Sequence, residues 1–130
     1  MTNDAPLDHA PEGARTGVFS ARVAAVLVSA ALFVVYTRTL CPGVLGGDAG
    51  ELQFVPAILS LPHPTGTPLY VLLGHLWSRL PLGSDIAWRM NLLAAISASL
   101  AGGLLVLAVH ALTARVWPGV VAAMAFGLGG

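Results

Sequence analysis

Two long apolar runs, residues 18–37 and 88–113, constrain this chain more than anything else in it. The first carries Arg22 as its one charge and the second opens on Trp88-Arg89. Each is long enough to meet the requirement of about 20 apolar residues for a helix that crosses a bilayer. A cleaved signal peptide is the alternative for the first run. No small-x-small site follows Tyr36-Thr37-Arg38, so it reads as a retained anchor whose Arg22 reaches up to the headgroups. Composition agrees: 56% of residues are hydrophobic, 9% are charged, and the mean hydropathy is +0.81. Lipid is then the main solvent, and the fold class expected is an all-α integral membrane protein, a polytopic helical bundle. Six basic residues, all arginine, balance six acids without forming a basic face, which removes nucleic acid as a partner. The lone cysteine, Cys41, excludes an internal disulfide.

The remaining segments follow from these two spans. Residues 1–17 are polar, without apolar periodicity, and are predicted to be disordered. Residues 38–87 form a segment between the spans, with helices predicted over about 48–61 and 67–80. Pro56 kinks or restarts the first, and Pro62, Pro64, Gly66 and Pro68 make a rigid turn around His63. The second is too short for a comfortable crossing. Leu69, Tyr70, Leu73, Leu76, Trp77 and Leu80 fall on one side of it, opposite Thr67, Gly74, His75, Ser78 and Arg79. That pattern predicts a helix lying in the membrane interface with its polar side towards water. Small residues Ala95, Ser99 and Gly103 recur along the second span and predict close helix packing. Residues 116–130 begin a third apolar run of about 14 residues, shorter than a span. The chain therefore reads as the amino-terminal part of a longer protein, expected to be inactive without the carboxy-terminal remainder.

Chemistry is concentrated in residues 46–68, GGDAGELQFVPAILSLPHPTGTP. Asp48 and Glu51 lie at the rim of strongly apolar sequence, where a carboxylate is costly unless it meets water, a cation or a partner. Asp48-Ala49-Gly50-Glu51 has the spacing of a helix capping box, with Asp48 as N-cap. The same spacing sets both carboxylates on one side of a helix start, close enough to share a proton or a metal ion. His75 and Arg79, one turn apart, read either as a solvated face or as ligand-binding groups. The positive-inside rule does not orient the chain, since Arg15, Arg22 and Arg115 stand against Arg38, Arg79 and Arg89.

GGDAGEL at 46–52, LPHPTGTPLYVLLGHLWSRLP at 61–81 and WRMNLLAAISASLAGGLL at 88–105 resemble the amino-terminal module of the domain of unknown function 2723 family. To that family belongs the transmembrane protein 260 type of protein O-mannosyltransferase. The order of acidic pair, His-Pro turn and Arg-Asn helix start carries the resemblance over roughly residues 20–125. More distantly the layout is similar to the GT-C glycosyltransferases, with interfacial helices in a first extracytoplasmic loop. Thr65 and Thr67 depart from the commoner pattern, which has proline and tyrosine there.

The resemblance implies an enzyme that takes a sugar, such as mannose, from a polyprenyl-phosphate carrier to a protein or glycan hydroxyl. The membrane implied is the cell inner (plasma) membrane, with loop 38–87 outside the cytoplasm. Asp48 and Glu51 become the catalytic candidates, Asp48 as general base or as ligand to a divalent metal ion, Glu51 orienting it. His63, Pro64, His75, Arg79 and Arg89 become the substrate-binding candidates, since the departing lipid phosphate needs a positive or hydrogen-bonding partner. The competing reading is a non-catalytic polytopic membrane protein, a transporter or assembly subunit, in which Asp48 and Glu51 only cap a helix.

Overall fold

The computed structural model describes residues 12–62, 67–83 and 85–129, with side chains from Gly17 onward. Among the described residues the chain is helical, without strands, in the order α1 (Glu12–Arg38), α2 (Gly47–Ile58), α3 (Pro68–Ser78), α4 (Ile86–Thr113) and α5 (Trp117–Leu128). Helix α1 begins inside the segment read as a tail. Stretches Gly17–Arg38 and Ile86–Thr113 are long and apolar enough to cross a membrane, with only 22% and 28% of their most apolar windows buried. A core helix of a water-soluble protein would be mostly covered, so these two present apolar surface outward.

The chain divides into two compact units, Met1–Leu32 with Ser99–Gly130, and Phe33–Ala98. In the first unit, glycines let helices touch. A Cβ at Gly102 would strike Leu32, one at Gly103 would strike the Ser29 hydroxyl, and one at Gly119 would lie 2.8 Å from the Val106 carbonyl oxygen. Leu32 and Val106 are fully buried at these contacts, as is Ala123 one turn beyond Gly119. Small residues at such contacts let apolar helices approach closely and pack.

The second unit is organised by Pro56. It has no amide hydrogen, so the Leu52 carbonyl four residues back loses its helical donor. The Tyr70 hydroxyl of α3 donates to that carbonyl at 2.9 Å. Pro56 itself is buried against Gly74, where a Cβ would lie 2.7 Å from the proline Cβ and from the Met90 methyl. The α2 end is closed by Leu59, left-handed at φ 51, with Leu59 N–H donating to the Pro56 carbonyl and Ser60 N–H to that of Val55. This is a Schellman-type stop.

Helix α3 corrects one expectation. Val71, Gly74 and Ser78 are buried, while Leu69, Leu72, Leu73 and Leu76 are exposed. The side predicted to face water is thus turned into the protein at its middle, where Gly74 and Ser78 are buried and His75 half-buried, and stays exposed at its ends, Thr67 and Arg79. The reason is steric and polar together: Gly74 admits Pro56, and the polar groups beside it find backbone partners, leaving the leucines outside.

Candidate functional site

The acidic motif stands at the start of α2, and glycine rather than aspartate makes the entry. Gly46 is the N-cap, and Gly47 turns the chain inward at φ 63, a conformation that favours glycine. Asp48 therefore is not the N-cap that the spacing predicts. It lies inside the first turn, where the helix dipole favours a negative charge, and its side chain is exposed. Glu51 follows one turn on and is half-buried.

The loop before α2 is clamped over it. A Cβ at Gly50 would collide with the Leu45 carbonyl oxygen, so the motif's glycine is where the loop backbone crosses the helix. One turn further, Gln53 is 4% exposed. Its Oε1 accepts from the Leu45 N–H at 2.9 Å and its Nε2 donates to Asn91 Oδ1 at 2.6 Å. Asn91 Nδ2 in turn donates to the Cys41 carbonyl at 3.0 Å. Two amides from α2 and α4 thereby hold both ends of residues 41–45, the stretch that delivers Asp48. Residue-pattern reasoning passed over Gln53 and left Asn91 without a role. The available signal was an amide inside otherwise apolar helix sequence, expensive unless paired.

The remaining candidates fall into three groups. His63 and Pro64 lie outside the described residues. His75 and Arg89 are engaged with backbone. His75 Nδ1 lies 3.0 Å from the Pro56 carbonyl oxygen, a contact that requires the proton on Nδ1. Arg89 donates from Nε to the Leu82 carbonyl at 2.6 Å and from Nη1 to the Ser78 carbonyl at 2.8 Å. Trp77 Nε1 returns a bond of 2.7 Å to the Arg89 carbonyl, so the end of α3 and the start of α4 are laced together. Arg79, the C-cap of α3, is exposed. Among the described residues no group of three or more His, Cys, Asp or Glu side chains is placed to hold a metal ion.

The profile of the protein O-mannosyl-transferase TMEM260 N-terminal domain matches residues 48–128, more than half of the chain. The chain belongs to this family. A protein O-mannosyl-transferase tmem260 of Dictyostelium discoideum is 32% identical over 103 residues, covering 78% of this chain and 13% of the relative. A protein O-mannosyl-transferase TMEM260 of Mus musculus is 39% identical over 102 residues, covering 78% of this chain and 14% of the relative. The chain thus spans about one seventh of the length of the curated relatives it matches. No solved structure matches it. The matched TMEM260 N-terminal stretch opens on Asp48 and includes Gln53, Tyr70, Arg89 and Asn91, so both clamping amides lie within the matched region, while the loop they hold, residues 41–45, precedes it.

Proposed function

We propose that this chain is the amino-terminal part of a membrane glycosyltransferase, anchored in the bilayer by α1 and α4. In this reading the whole protein moves a sugar, mannose by the relatives' names, from a polyprenyl-phosphate carrier to a hydroxyl of a protein at the outer face of the membrane. The observation that carries it is the family match beginning at Asp48, to proteins named as protein O-mannosyl-transferases. The exposure of Asp48 in the first turn of a helix clamped by Gln53 and Asn91 supports a reactive rather than a packed carboxylate.

Asp48 serves as general base. It accepts the proton of the acceptor hydroxyl as that oxygen bonds to the anomeric carbon and the carrier phosphate leaves with the electron pair of the broken C–O bond. Glu51 orients Asp48. Arg79 offers a cation to the leaving phosphate, with His63 and Pro64 as further substrate-binding groups, while His75 and Arg89 hold α3 in place. Among the described residues a divalent ion at Asp48 would find no set of three or more His, Cys, Asp or Glu side chains to hold it. The test is Asp48→Asn in the full-length protein, assayed for mannose transfer from a polyprenyl-phosphate donor. Turnover should fall at least about 100-fold at unchanged protein level. Near-normal turnover would remove Asp48 from the chemistry.

A further inference from the structure

A second polar site lies away from the acidic motif, in the unit formed by Met1–Leu32 and Ser99–Gly130. A pocket of about 480 Å³ opens between the start of α1 and the end of α4, lined by Arg22, His110, Val18, Ala21, Leu107 and Ala114 among others. His110 Nδ1 is buried and has no hydrogen-bond partner among the described residues. A buried ring nitrogen without a partner is rare, and here it belongs to an imidazole that lines the cavity and is not spent on a protein contact among the described residues. Arg22 lines the same cavity with an exposed side chain, and no carboxylate is among the lining residues.

The end of α4 leaves the ring free for this task. Ala114 N–H donates to the His110 carbonyl at 2.8 Å, Ala114 turns left-handed at φ 55, and Arg115 N–H donates to the Thr113 hydroxyl. The helix terminus is closed by its own groups, while the imidazole is not used. From these observations we infer that the Arg22–His110 pocket binds the phosphate headgroup of an anionic membrane lipid.

The chemistry fits that ligand. A guanidinium takes phosphate oxygens in its planar fork, and an imidazole N–H donates to a third oxygen. Val18, Ala21 and Leu107 supply an apolar wall suited to a glycerol backbone and the first acyl methylenes rather than to a bare ion. The site also lies at the terminal turns of two apolar helices, where headgroups meet hydrocarbon. The inference rests on the reading of α1 and α4 as membrane helices. It is independent of the transferase reading, since none of its residues lies in the segment that carries Asp48.

The experiment uses the full-length protein, titrated in detergent with phosphatidylglycerol or phosphatidylcholine and read by native mass spectrometry, with inorganic phosphate as competitor. Phosphatidylglycerol should bind in preference to phosphatidylcholine. Arg22→Gln and His110→Phe should each weaken it roughly tenfold, as expected for loss of one charge-assisted contact. Arg22→Lys should retain most binding, and Arg115→Gln, outside the pocket, should bind as wild type. Equal losses in Arg115→Gln would mean diffuse surface charge and overturn the site. So would full displacement by inorganic phosphate, which would make it a free-anion site, or unchanged binding in the Arg22→Gln/His110→Phe double variant. Release of the protein from membranes by alkaline carbonate would instead overturn the membrane reading beneath it.

Discussion

The hydroxyl of Tyr70 donates a 2.9 Å hydrogen bond to the carbonyl of Leu52, the group that Pro56 leaves without its helical donor. A helix defect made in α2 is thus repaired from α3, and the two helices are held in one register by the repair. Burial raises the Tyr70 hydroxyl above its ordinary value, which keeps it protonated as a donor.

Tyr70→Phe should therefore destabilise the unit by about 1 kcal/mol, because the half-buried Leu52 carbonyl loses its hydrogen-bond donor. In a Pro56→Ala background the restored amide takes over that carbonyl, and the penalty for Tyr70→Phe should shrink. A double-mutant cycle on thermal unfolding measures the difference. Additive losses would show that the bond is incidental. The raised value has a pH consequence with a definite sign: its contribution to stability is complete below the ordinary tyrosine value and is lost as pH climbs through the raised one.

Asn91→Leu should loosen the clamp over α2, since it removes the donor to the Cys41 carbonyl and the acceptor of the Gln53 amide together. The expected readout is faster maleimide labelling of Cys41, which is half-buried in the native fold. Gly50→Ala should speed labelling too, because its methyl has no room beneath the Leu45 carbonyl. Unchanged rates in both variants would mean that the loop is held by other contacts.

Arg89→Lys keeps the charge but cannot reach the Leu82 and Ser78 carbonyls with two donors from one rigid group. A loss of about 1–3 kcal/mol is expected, with transfer activity falling only as far as folded protein does. A raised Michaelis constant for the lipid-linked donor at full stability would instead assign Arg89 to substrate binding.

Glu51→Gln separates orientation from charge at the acidic motif. As a positioning residue, Glu51 should lose less turnover than Asp48 when its charge is removed, and the variant should accumulate normally. A loss as large as that of Asp48→Asn would give the two carboxylates equal parts in the chemistry.

Cys41 also reports sidedness in full-length protein whose thiols outside residues 1–130 are replaced, because it is the sole thiol of residues 1–130 and follows the first apolar helix directly. In the proposed orientation a membrane-impermeant maleimide labels it in intact cells. Labelling only after permeabilisation would place the loop in the cytoplasm and the transferase reading on the wrong side.

The sequence by itself determined the helical class, the two apolar helices of membrane-crossing length and the family. Each is written in local pattern: long runs with one charge apiece, proline and glycine at their borders, and three motifs in a fixed order. Tertiary structure alone decided which side of α3 faces inward. Periodicity separates a polar side from an apolar one but is silent on what covers either, and here Gly74 and Pro56 draw the polar side in. The same holds for the clamp: Gln53 and Asn91 are 38 positions apart, and no local spacing encodes a bond across that distance. The helix start was shifted from Asp48 to Gly46-Gly47 because Gly47 takes a positive φ that the capping pattern does not anticipate.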